Sequence, residues 1–234
     1  MFRHIVAVQG CRVKNAAGWF KRMIDRYNLN AALRRGSAFA AMLSALSLLP
    51  TPAASLAAQQ WQGVEAGAEL RDAVRRLAAD PDNVDALLEA GDAALAMDDA
   101  DAAAGFYLRA ESADPGNPKV KVALGRARLR QEDPVMAIAL FNQAASLGEP
   151  LAGFAADRGL AYDLVGDTRS AQQSYELARR TDASQSLTIR LAISYDLSGQ
   201  RNEAAKLMNP LLRANDNGAW RAQAFLHAAH GEID

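Results

Sequence analysis

The apolar positions of this chain recur on two scales. Within residues 64–79, VEAGAELRDAVRRLAA, they fall at helical spacing, and Asp80-Pro81 closes the segment just as Asp114-Pro115 closes a later one. Written at a period of 34, the chain also aligns Gly91, Gly125 and Gly159; Ala103, Ala137 and Ala171; Tyr107, Phe141 and Tyr175; and Ala110, Ala144 and Ala178. A fourth copy follows one residue early. Tyr162-Asp163-Leu164-x-Gly166 recurs as Tyr195-Asp196-Leu197-x-Gly199, with Ala204 in the place of Ala171. In that copy Ala192 replaces the glycine, Met208 the aromatic residue and Leu211 the last alanine, and Pro210 predicts a bend or break in its second helix. Trp220 and Ala224 mark the first helix of a fifth copy, with Gly231-Glu232 as its turn.

The physical sense of the columns is close packing. Glycine or alanine on one helix and alanine at the start of the next let two antiparallel backbones approach, and the aromatic rings fill the volume between neighbouring repeats. These columns resemble the tetratricopeptide-repeat (TPR) family at its signature positions: a small residue in helix A, a small residue opening helix B, an aromatic one turn on, and an alanine beyond. Pro115 stands where the family has its terminal proline. Pro150 comes one place late, and Ala183 takes that place in the third copy. The resemblance implies an all-α, right-handed TPR α-solenoid of antiparallel helix pairs. Its expected layout is a lead and N-terminal cap helix over 58–83, repeats over 84–117, 118–151 and 152–184, a degenerate repeat over 185–217, and a final helix A over 218–234. That last helix is either a cap or the start of a truncated repeat. Residues 58–63 are expected to be a short flexible lead.

The family lines its inner groove mainly with helix A. Carried over by position, this gives Asp85, Leu88, Asp92 and Leu95 in the first repeat, and Lys119, Val122, Arg126, Leu129 and Arg130 in the second. Leu160, Asp163 and Leu164 follow in the third, then Ile189, Ile193, Asp196 and Leu197 in the fourth. The implied groove is apolar along its floor, basic in the second repeat and acidic elsewhere, and suits a protein or peptide partner with an apolar and an acidic anchor. Val122 and Arg126 stand where the family's carboxylate-clamp subtype needs Lys and Asn, so that subtype is set aside.

Charge divides the chain near residue 57. Residues 1–57 are net about +7 and the remainder net about −8. An acidic repeat region argues against sequence-independent binding to nucleic acid, whose phosphates must be neutralised by Lys and Arg. Residues 37–49, SAFAAMLSALSLL, follow Arg34-Arg35 and precede a small-residue stretch containing Ser55-x-Ala57. That order reads as a secretory signal peptide cleaved after Ala57, because thirteen residues at about 1.5 Å each do not span a bilayer. An uncleaved anchor is the alternative, and membrane contact is expected only through it. Both readings place the repeats outside the cytoplasm, in a periplasmic or envelope location. Met23 would give a conventional short leader, which makes residues 1–22 readable as a start-site artefact. Cys11, the single cysteine, precedes the cleavage point, so no disulfide, thiol or cysteine–metal chemistry is expected in the mature chain.

Candidate chemistry is sparse. His227 and His230 lie one turn apart with Glu232 nearby, but no third metal ligand is placed by the sequence. Asp98-Asp99-Ala100-Asp101 lacks the glycine and distal glutamate of a calcium loop and reads as a turn with an N-capping carboxylate. No phosphate loop, nucleophile elbow or HExxH occurs. No catalytic residue, cofactor or metal is therefore expected. The reading is a non-catalytic extracytoplasmic scaffold or adaptor in envelope, pilus or secretion assembly. The alternative is the TPR portion of a truncated peptidoglycan-binding, SPOR-type envelope protein.

Overall fold

The structure, a computed structural model, describes residues 53–231, with side chains from Glu65 onward. The described residues form ten α-helices and one short 3-10 turn: α1 Ala53–Ala79, α2 Val84–Ala96, α3 Ala100–Ala113, α4 Pro118–Arg130, α5 Pro134–Ser146, the turn Leu151–Gly153, α6 Ala155–Leu164, α7 Thr168–Arg179, α8 Gln185–Leu197, α9 Arg201–Arg213 and α10 Asn217–Ala229. Most helices pack chiefly on their sequence neighbours. Helices A (α2, α4, α6, α8, α10) and helices B (α3, α5, α7, α9) alternate, with α1 as a cap on α2. Packing of this kind is that of an α-solenoid, in which each repeat buries its apolar face only against the next.

Local chemistry sets the helix boundaries. The side chains of Asn83, Asp99, Asn117, Asp133, Asp167 and Asp216 each accept a backbone N–H of the helix they open. Asp99 does so in the turn between α2 and α3, the capping role that the sequence predicts for Asp98-Asp99-Ala100-Asp101. Each A-to-B turn also needs one left-handed residue, supplied in successive repeats by Asp98 (φ 63°), Glu132 (φ 60°), Gly166 (φ 84°) and Gly199 (φ 83°).

The four packing columns are buried as expected. Ala103, Ala137, Ala171, Tyr107, Phe141, Tyr175, Ala110 and Ala144 are wholly inaccessible, and Ala178 nearly so. A Cβ at Gly125 would lie 2.5 Å from the Phe141 ring and one at Gly159 2.6 Å from Tyr175; at Gly91 the Tyr107 ring stands closer still. Glycine is thus required there by the ring opposite. Phe154, which no repeat column marks, is also buried and stacks on Phe141 with ring centroids 5.5 Å apart.

Two expectations need correction. Residues 58–63 are not a lead: α1 begins at Ala53 and runs through them, since Ala, Leu and Gln are good helix formers and no proline intervenes. Pro210 does not break α9, which continues to Arg213. The proline and Lys206, whose carbonyl loses its intrahelical partner, are both exposed, so water can satisfy that carbonyl. The fifth helix A marked by Trp220 and Ala224 is present as α10, which buries Ala219, Ala222 and Leu226 and leaves Trp220 51% exposed. Residues 1–52 of the leader, with all of its charge, and Glu232 lie outside the described residues. No helix among the described residues is long and apolar enough to cross a membrane.

Candidate functional site

The apolar groove positions share one property. Leu88 and Leu95 on α2, Leu129 on α4, Leu160 and Leu164 on α6, and Ile189, Ile193 and Leu197 on α8 are all partly exposed, none fully buried. Leu88 and Leu95 rest on the first core, Leu129 on the second, and Ile189 and Ile193 on the last, each keeping part of its surface in water. Val122 is the exception, buried inside the second core.

The charged positions behave differently from their expected role. Arg126 does not offer a free cation: its Nε donates to Asp157 Oδ2 of α6 at 2.8 Å, and Asp92 of α2 bears on it from the other side. Asp92 accepts the Tyr107 hydroxyl at 2.6 Å. Burial, reinforced by that bond, raises the pKa of Tyr107 and keeps it a neutral donor. Arg130 pairs with Asp98 at 3.1 Å, both side chains well exposed, a contact that contributes little to stability. Lys119 and Asp85 are exposed.

Asp163 and Asp196 are not groove carboxylates. Asp163 is 2% exposed and its Oδ1 accepts the Ser194 hydroxyl of α8 at 2.7 Å. The Tyr175 hydroxyl bears on the same carboxylate, yet neither it nor Asp163 Oδ2 completes a hydrogen bond. Burial pushes the Asp163 pKa up to about 7, against the opposing pull of Ser194 and Tyr175. Asp196, 8% exposed, contacts His230 Nε2 of α10 at 2.5 Å. Both carboxylates thus join one repeat to the next.

His227 and His230 do not share a ligand: His227 Nε2 lies 3.4 Å from Gln223, and His230 turns to Asp196. Among the described residues no three histidine, cysteine or acidic side chains are placed to hold a metal. Sequence spacing on one helix could not show this, since Asp157, Ser194 and His230 reach partners 31 or 34 residues away. The signal that could have found them is the repeat itself, which puts such pairs one period apart.

The fold is that of solved TPR structures. TTC0263 of Thermus thermophilus, a thermophilic TPR protein, is similar with a TM-score of 0.57 at 19% identity, over 74% of this chain and 96% of that one. YrrB, a TPR protein with an unusual peptide-binding site, gives 0.51 at 17% identity over 72% and 84%. MamA from Desulfovibrio magneticus RS-1 gives 0.53 at 14% identity over 67% and 98%. No family model and no curated protein matches the sequence.

Proposed function

We propose that this chain is a non-catalytic scaffold that holds a segment of a partner protein along its helices A. The observation that carries the reading is the set of partly exposed aliphatic side chains present on each of the helices α2, α4, α6 and α8. A core needs such residues buried and a purely solvated face would not place them there; half-burial on consecutive elements offers repeated apolar anchors to an extended or helical segment. The peptide-binding site named for YrrB, a structure of the same fold, is consistent with this use. The apolar stretch 37–49 with its small-residue sequel supports a further part of the proposal, that the repeats work outside the cytoplasm in envelope, pilus or secretion assembly.

The test is capture of partners from envelope and cytoplasmic fractions by the full-length chain, beside two variants checked for folding by circular dichroism. Ile193→Lys charges the helix-A row; Leu108→Lys charges an exposed position on helix B α3. Loss of an envelope protein with the first variant and its retention with the second is the expected result. Equal capture by both, or capture only from the cytoplasm, would contradict the corresponding half of the proposal.

A further inference from the structure

Among the described residues, the ion pair that closes the α4–α6 seam between helices A has no counterpart at the next seam. Between α4 and α6, Arg126 pairs with Asp157, and Asp92 of α2 extends the alternation backwards. One period on, Leu160 takes the place of Arg126, and Arg190 takes the place of Asp157 after the one-residue contraction of the fourth repeat. The α6–α8 seam therefore has a cation where its predecessor has a carboxylate, and an aliphatic residue where the countercharge would stand. Among the described residues, neither a hydrogen bond nor an ion pair reaches Arg190. Its side chain is nevertheless partly buried and close enough to the buried Tyr175 hydroxyl to act on it electrostatically. Two acids act on the same hydroxyl: Asp157 is paired with Arg126, and Asp163 accepts Ser194 with burial favouring its neutral form. A half-desolvated guanidinium without a carboxylate is a costly arrangement that a charge-assisted, bidentate contact would relieve. Ile189 and Ile193 flank Arg190 along α8 and Leu160 holds the corresponding place on α6, so the cation shares its helix-A positions with apolar, partly exposed side chains.

We propose that Arg190 is the anchoring residue of the helix-A face and receives an Asp or Glu side chain of the bound segment at the α6–α8 seam. This rests on the reading of that face as the binding surface. The repeat geometry supplies the test variant: Leu160→Asp would give Arg190 an internal partner, mirroring Arg126 and Asp157, and so occupy the site from within.

Random peptides displayed as internal fusions, which carry no free C-terminal carboxylate, are selected on the full-length chain and on the Arg190→Gln, Leu160→Asp and Ile193→Lys variants, with thermal melts run on each. The expected result on the wild type is enrichment of Asp or Glu at one position, about tenfold over the input, beside apolar residues. Arg190→Gln and Leu160→Asp should lose the acidic enrichment but keep the apolar one, and Leu160→Asp should melt no lower than Arg190→Gln. Acidic enrichment that persists in both variants, or apolar enrichment with no acidic position on the wild type, would overturn the anchor while leaving the groove standing. No enrichment on the wild type, or enrichment untouched by Ile193→Lys, would overturn the groove reading and the anchor with it.

Discussion

Gly125 and Phe141 divide one volume between them, and so do Gly91 with Tyr107 and Gly159 with Tyr175. The fourth repeat exchanges both members together, Ala192 for the glycine and Met208 for the ring, and both remain buried. A flexible thioether yields to an added Cβ where a ring cannot. Gly125→Ala should therefore lower the unfolding free energy by about 1–3 kcal/mol in urea titration, through overpacking. Met208→Phe alone should destabilise, and the pair Ala192→Gly with Met208→Phe should recover most of that loss. A second residue-scale prediction concerns Asp163. Its folded pKa, about 7, lies above the ordinary carboxylate value of 3.8, so between those limits the folded chain holds a proton that the unfolded chain has lost. Stability contributed by this group is fully present below pH 4 and is lost as pH rises through 7. Asp163→Asn cannot ionise and keeps an acceptor for Ser194. Its advantage over the wild type should grow from pH 4 to pH 8 by up to about 4 kcal/mol, read from denaturant midpoints; an advantage independent of pH would show that the carboxyl is not the titrating group.

At the scale of elements, α9 is the helix whose sequence argues most against it. Pro210 removes one ladder hydrogen bond, and α9 has neither a side-chain N-cap bond nor an aromatic residue in its column. Pro210→Ala should raise the thermal midpoint, since the restored N–H has Lys206 O within the helix and nothing in the core changes; the gain is expected at about 1 kcal/mol, below the full interior-proline penalty because the site is exposed. The repeat columns were legible in the sequence because they encode contacts within and between adjacent helices, where a fixed period maps directly onto packing. The course of α1 through 58–63 was not, because the leader reading assigned those residues to a processed end although their own helix propensity pointed the other way.

The described residues form a row of nearest-neighbour interfaces with four separate buried clusters rather than one core. Their stability should accordingly be a sum over interfaces, with local opening from the weaker end. The first cluster, with Tyr107 at its centre, is the most extensive; the last contains Ala192, Met208, Ala219 and Ala222 and no aromatic ring. Hydrogen exchange should show α9 and α10 opening at lower free energy than α3 and α4, whereas uniform protection along the chain would indicate a single cooperative unit. The same scale explains why the binding face was only half legible. Its aliphatic residues stand on helix A of each repeat and could be read off from the family's groove positions. Its charges could not, because Arg126, Asp163 and Asp196 are spent on partners in the next repeat, and Arg190 gains its meaning only from the partner that Leu160 fails to provide.

The claim that a partner lies along helices A is tested most directly by methyl chemical-shift mapping of the full-length chain with a display-selected peptide bound. Leu95, Leu129, Leu160 and Ile193 on helices A should shift, while Leu108 on α3 and Val135 on α5, both exposed on helices B, stay in place. Shifts confined to Leu108 and Val135 would contradict the claim and move the binding surface to helices B.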